Sequence, residues 1–212
     1  MIVLSVGMPR AGSGWHYNLI HDLMATTGCA EARDIREQYR LQKILTEVNC
    51  NIGVLSLRRL AMVLVPAMAG STFVIKAHAG PTRWSRLLVN KGMMRTLYIY
   101  RDPRDAMLSA YEYGQRSIKN GRPNFFSKLT NFEETLDFMS EYVRIWEDWI
   151  TQKNVLHARY EDLLIDYSNE TARLAQYLNL DAENESVVAV IEQYRPGKTD
   201  AGQQGLHFFK GK

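Results

Sequence analysis

Four short β-rich runs, at residues 2–6, 72–76, 96–100 and 154–158, are separated along the chain by stretches of helical periodicity. Strands that alternate with helices cannot pair through tight hairpins. Each return requires a crossover, which gives parallel strands with helices packed on both faces of the sheet. The intervening patterns are helical in detail. Trp15, Leu19, Ile20, Leu23 and Met24 recur on one face. Phe132, Leu136, Met139, Val143, Trp146 and Ile150 step by four and three along a long amphipathic helix. The expected fold class is therefore α/β, a three-layer arrangement with a parallel sheet flanked by helices. A length of 212 residues, 46% hydrophobic and 23% charged, suits one globular domain over residues 1–212 and excludes a disordered tail or a coiled coil.

In open α/β sheets functional groups gather beyond the carboxyl ends of the strands, and each β run here leads into residues with chemistry. The first enters Gly7-Met8-Pro9-Arg10-Ala11-Gly12-Ser13-Gly14 and then a helix. Gly7 and Gly12 keep the G-x-x-x-x-G spacing of a loop that turns backbone N–H groups toward an anion at a helix N-terminus. The Lys-Ser/Thr pair of a nucleoside-triphosphate loop does not follow Gly12, so the reading is an anion site without a metal.

The second run ends in Lys76-Ala77-His78. Two residues apart in an extended segment, lysine and histidine face the same side, and a histidine is the natural base near neutral pH. The third ends in Arg101-Asp102-Pro103-Arg104-Asp105, with Ser109 farther into the following helix. Arg101 offers a rigid fork of donors for phosphate, and Ser109 adds a hydroxyl. Asp102-Pro103 reads as a cap followed by proline at the first helical position, with Asp105 placed for a capping box. A competing reading puts Asp102 on Mg²⁺, but its use as the cap is the better one. The fourth run leads into Arg159-Tyr160-Glu161-Asp162, where the tyrosine suits a nucleobase. Two stretches read as loops: residues 117–131, and everything after Pro196, which includes Phe208-Phe209-Lys210-Gly211-Lys212.

Lys plus Arg number 26 and Asp plus Glu 23, a net +3, so charge gives no reason to expect nucleic acid. Cys29 and Cys50 lack both a disulfide framework and metal-ligand spacing, which fits a reducing, cytoplasmic setting. The longest apolar stretch, residues 60–69, is broken by Pro66 and is about half a bilayer span. No membrane segment or secretory leader is expected.

Taken together, these segments resemble the cytosolic-type sulfotransferase family, which transfers a sulfuryl group from 3′-phosphoadenosine 5′-phosphosulfate (PAPS) and releases 3′-phosphoadenosine 5′-phosphate (PAP). Arg10, Ala11, Gly12, Ser13, Gly14 and Trp15 resemble the family's 5′-phosphosulfate loop, P-K-S-G-T-T-W. Lys76-Ala77-His78 resembles its K-x-H segment, Arg101 and Ser109 its 3′-phosphate site, and Tyr160 the tyrosine that helps hold adenine. Lys210 and Gly211 resemble the end of its R-K-G loop. Three departures are visible: Arg10 replaces lysine, Ser13-Gly14 replaces a threonine pair, and Phe209 stands where arginine is usual.

The resemblance implies a fold like that of P-loop nucleotide hydrolases and a PAPS-dependent sulfotransferase without a metal. His78 would be the base, with Lys76 and Arg10 meeting charge on the leaving group. Trp15 would stack on adenine, and a small hydroxyl or amine would be the acceptor. An ATP- and Mg²⁺-dependent small-molecule kinase and a non-catalytic nucleotide-binding module are the alternatives. Tyr39, Trp84, Phe125 and Phe126 are candidates for an apolar acceptor pocket.

Overall fold

A computed structural model describes residues 1–197. Four strands, β1 (Ile2–Gly7), β2 (Phe73–Ala77), β3 (Met94–Tyr100) and β4 (Val155–Arg159), form one parallel sheet in the order β2-β1-β3-β4. Each expected run is a strand, with ends moved by one or two residues. Central β1 is buried throughout, and its register pairs Ser5 with Lys76 on one side and Gly7 with Ile99 on the other.

Alternation along the strands divides the core. Ile2, Leu4, Val6, Ile75 and Tyr98 face one side, whereas Val3, Val74, Leu97 and Ile99 face the other. Helices α2 (Ala32–Gln38), α3 (Leu57–Met68) and α4 (Arg83–Asn90) supply residues to the first cluster, joined by Trp149 of the long α6 (Phe132–Ile150). The second is covered by α1 (Ser13–Ala25), α7 (Tyr160–Ile165), α8 (Tyr167–Leu178) and α9 (Glu185–Gln193). This is the expected three-layer arrangement. The free edge of β2 is covered by residues 50–52: Lys76 N donates to Cys50 O at 3.4 Å and Ile52 N to Lys76 O at 2.9 Å. Among the described residues no helix is long and apolar enough to cross a membrane.

The stretch read as a loop, residues 117–131, is more structured than its polar composition suggests. Helix α5 (Pro103–Lys119) includes Ser117, and a 3-10 turn occupies Phe125–Lys128. Asn124 Nδ2 donates to Ser117 Oγ at 2.5 Å, and a capping box between Asn124 and Ser127 closes the turn. Gly114 makes the close approach possible, because a Cβ there would lie 2.1 Å from the Phe126 carbonyl oxygen. A backbone atom cannot step aside as a side chain can. Gly114→Ala should therefore lower stability by about 1–3 kcal/mol, read as a shift in the urea midpoint; an unchanged midpoint would show that the turn does not seat on α5.

Candidate active site

A cavity of about 720 Å³ opens where β1, β2, β3 and β4 end. The turn after β1 forms its floor. Arg10 (φ 64°) and Gly12 (φ 74°) both take left-handed backbone conformations, which turn neighbouring N–H groups toward a common point. Gly12 is the N-cap of α1 and has no side chain to occupy the first-turn N–H groups. A Cβ at Gly12 would also lie 2.7 Å from the Tyr160 ring. The turn thus forms a cradle of backbone N–H groups at a helix N-terminus. Ser13, Gly14 and Trp15 line it, whereas Ala11 is fully buried behind it.

Lys76 comes from the end of β2 and is only 7% exposed. No carboxylate among the described residues pairs with it, and burial lowers its pKa to about 8. His78 follows with Nδ1 2.6 Å from the Gly7 carbonyl oxygen. A carbonyl only accepts, so Nδ1 carries the proton and Nε2 holds the free lone pair. Burial foremost, then the charge of Lys76, lowers the His78 pKa to about 4, against a smaller opposing effect of the Gly7 contact. The imidazole is neutral at pH 7 and ready to accept a proton. Behind Lys76 lies a histidine that sequence reasoning passed over. His16 is fully buried, its Nδ1 lies 3.4 Å from Ser5 Oγ, and burial followed by the charge of Lys76 lowers its pKa to about 3.

From the end of β3, Arg101 lies with its guanidinium carbon 4.8 Å from the Tyr160 ring centroid. Its terminal nitrogen is 3.5 Å from Asp105 Oδ2. Its Nε is buried without a hydrogen-bond partner among the described residues, 4.0 Å from Glu161 Oε1. An orphaned guanidinium N–H beside a cavity fits an anionic group.

Asp102 does cap α5, accepting from Arg104 N at 2.9 Å, and its carboxylate is further held by the Arg104 side chain. The expected capping box with Asp105 does not form. Asp102 N donates to Glu161 Oε1 at 3.0 Å, leaving Asp105 to face Arg101. Long-range pairing with β4's turn outcompetes the local motif.

The two anion motifs meet in an unforeseen way. Arg10 Nε donates to Ser109 Oγ at 3.2 Å, and its guanidinium carbon lies 4.3 Å from the Tyr113 ring centroid. The structure therefore brings Arg10, Gly12, Ser13, Gly14, Trp15, Lys76, His78, Arg101, Ser109 and Tyr160 around one cavity. Trp15 reaches it only at its rim. It is 4% exposed, donates through Nε1 to Tyr194 O at 3.2 Å, and stacks on Tyr167.

Phe125 and Phe126 line the cavity, but Tyr39 and Trp84 pack against the first core cluster instead. Lys210 and Gly211 lie outside the described residues. Sequence reasoning missed Tyr113 and Arg116 of α5 and Phe138 and Tyr142 of α6. Helical periodicity counted onward from Ser109 would have found the first two.

A family model described as sulfotransferase domain matches residues 2–199. An amine sulfotransferase from Oryctolagus cuniculus is 24% identical over 103 residues, covering 47% of this chain and 34% of that protein. Among solved structures, retinol dehydratase in complex with androsterone and PAP superposes with a TM-score of 0.58 at 17% identity, over 93% of this chain and 65% of that one. A mouse sulfotransferase, SULT7A1, complexed with PAP gives 0.51 at 16% identity, over 91% and 64%. The chain thus spans less than two thirds of the length of these relatives. The fold is the P-loop-like one of the sulfotransferases, and since the family model runs from β1 past the end of α9, the chain belongs to the sulfotransferase-domain family.

Proposed function

We propose that this chain is one sulfotransferase domain that moves the sulfuryl group of PAPS to a hydroxyl or amine of a small acceptor. The observation that carries the reading is the meeting of His78, its lone pair left on Nε2 by the Gly7 carbonyl, with a Lys76 ammonium that pairs with no carboxylate among the described residues, at the mouth of an N–H cradle. The acceptor's oxygen or nitrogen forms a bond to sulfur as the bond from sulfur to the bridging oxygen breaks. His78 Nε2 takes the acceptor's proton, and PAP leaves with the electron pair. Lys76 and the loop N–H groups meet the charge that grows on the bridging oxygen, as preorganised donors do in other group transfers. The 3′-phosphate falls to Arg101 and Ser109, and the adenine to the Tyr160 and Trp15 side.

The acceptor side is aromatic. Phe126 and Phe138 meet edge to face at 5.8 Å, and Phe138 lies 5.0 Å from Tyr142. Such a wall favours an acceptor with an apolar ring face. Two unpaired cysteines, Cys29 and Cys50, suit work in the cytoplasm.

Labelled PAPS screened against pooled phenols, alcohols, amines and sugars tests the reading. Transfer that persists in EDTA supports it; turnover seen only with ATP and Mg²⁺ overturns it in favour of a kinase, and PAP binding with no transfer in favour of a binding module. Arg101→Ala should weaken PAP binding by about 1.5–3 kcal/mol, the loss typical of a hydrogen bond to a charged group. Equal affinities by calorimetry would remove Arg101 from the nucleotide site.

A further inference from the structure

The longest apolar stretch of the chain, residues 60–69, supplies most of α3, and the core uses only one side of it. Leu60, Val63 and Pro66 are buried. Leu57, Met62, Val65 and Met68 lie on the opposite side, where Val65 is 54% and Met68 74% exposed. A helix on a water-facing surface carries polar residues opposite its core stripe. On the outer side of α3, Arg58 is the one charged residue. Single exposed apolar side chains are common, whereas a continuous row along a helix marks a contact surface.

Helix α4 lies beside α3 on the same face of the sheet, and Thr82 Oγ1 at its start donates to Leu55 O, just before α3, at 2.7 Å. Its outward residues Arg83 and Leu87, and Lys91 at its C-cap, are spaced four apart and exposed. Charge is as one-sided here as hydropathy. Between Glu47 and Asp102 the sequence holds eight Lys or Arg and no Asp or Glu, although the whole chain is nearly balanced. Five of these cations are turned elsewhere. Lys76 and Arg101 line the cavity, Arg59 and Arg95 donate to the Ile52 and Leu178 carbonyls, and Arg86 faces Asp148 at 3.7 Å. Arg58, Arg83 and Lys91 remain on the outer surface beside the apolar row, and no carboxylate among the described residues pairs with them.

We infer that the outer side of α3 and α4 docks on an anionic lipid surface. Leu57, Met62, Val65 and Met68 enter the headgroup boundary, and Arg58, Arg83 and Lys91 meet the lipid phosphates and carboxylates. A face that combines apolar and basic residues binds in this way without spanning the bilayer. A second copy of the chain fits the same face poorly. Across a two-fold axis each copy presents the same three cations to the other, and neither brings a carboxylate to match them. Docking through α3 and α4 is independent of the sulfuryl transfer proposed above, which uses the cavity residues.

Co-sedimentation of the full chain with phosphatidylcholine vesicles, with and without about one third phosphatidylserine, provides the test. The wild type should bind the mixed vesicles, be released as salt rises, and bind pure phosphatidylcholine about a hundredfold more weakly. Val65→Glu with Met68→Glu should weaken binding to the mixed vesicles by about tenfold or more. Arg58→Gln with Lys91→Gln should weaken it by about fivefold for each charge removed. All four positions are exposed, so both variants should keep the wild-type urea midpoint, and the charge pair carries the test if the glutamates unfold α3. A wild type that ignores both vesicles or binds them equally, or variants that bind as the wild type does, overturns the lipid surface. Sedimentation velocity covers the other occupant. A dimer that Val65→Glu with Met68→Glu splits, in a chain that ignores vesicles, assigns the face to a second copy instead.

Discussion

Replacing His78 by alanine should lower turnover about 10²- to 10⁴-fold, the range for loss of a positioned general base, while PAP binds within about twofold of the wild type. The separation follows from geometry. Among the described residues the His78 ring makes one hydrogen bond, Nδ1 to the Gly7 carbonyl at 2.6 Å, whereas on the proposed function the loop N–H groups, Lys76 and Arg101 would hold the nucleotide's charged groups. The pH dependence has a definite sign.

Because burial holds the free His78 at about 4, kcat/KM should keep its base well below pH 6.5 and fall on the acid side only as pH approaches 4. On the alkaline side it should fall near pH 8 as Lys76 loses its proton. Bringing an anionic sulfuryl group beside both residues favours their charged forms, so the limbs of kcat should lie higher than those of kcat/KM. The same shift links to folding. His78 binds its proton more readily unfolded, so its contribution to stability is full above pH 6.5 and is lost as pH falls toward 4. Turnover unchanged in His78→Ala, or an acid limb of kcat/KM at the ordinary histidine value, would remove His78 from the proton transfer.

Much of this arrangement is legible in the sequence, for reasons that differ by residue. The strands show because short apolar runs bounded by turn residues suit parallel strands buried on both faces, and the site residues show because each follows such a run. What stays hidden depends on tertiary choice. Nothing local says that Arg10 will take φ 64° and reach Ser109, 99 residues away. Asp105 fits a capping box until Glu161, brought in by β4, takes the Asp102 N–H. Gly114 looks like a weak point in a helix, and only the Phe126 carbonyl packed on it explains the missing side chain. Trp15 shows the opposite case. Its place on the apolar stripe of α1 already marks it as core, and the structure buries it while leaving its rim at the cavity.

Lys76→Met should lower turnover about 10²- to 10³-fold, the loss typical when one preorganised donor to developing negative charge is removed, and at the same time make the protein more stable. Methionine keeps the long unbranched stem of Lys76 and fills similar volume, so packing against β1 and the 50–52 segment survives. What disappears is a buried ammonium that no carboxylate among the described residues balances. Its pKa falls from the ordinary 10.5 to about 8, so the unfolded chain binds the proton more readily than the folded one between those values. The burden on folding is full below pH 8, on the order of 3 kcal/mol, and is relieved as pH rises toward 10.5. The variant should therefore gain about 1–3 kcal/mol over the wild type in urea denaturation at pH 7, with the gap narrowing at pH 9.5. PAP should stabilise the variant less than the wild type, because the anion no longer finds the charge it would neutralise. A variant that is less stable at pH 7, or one equally active, would show that Lys76 is a structural residue rather than a cation held for the transfer step.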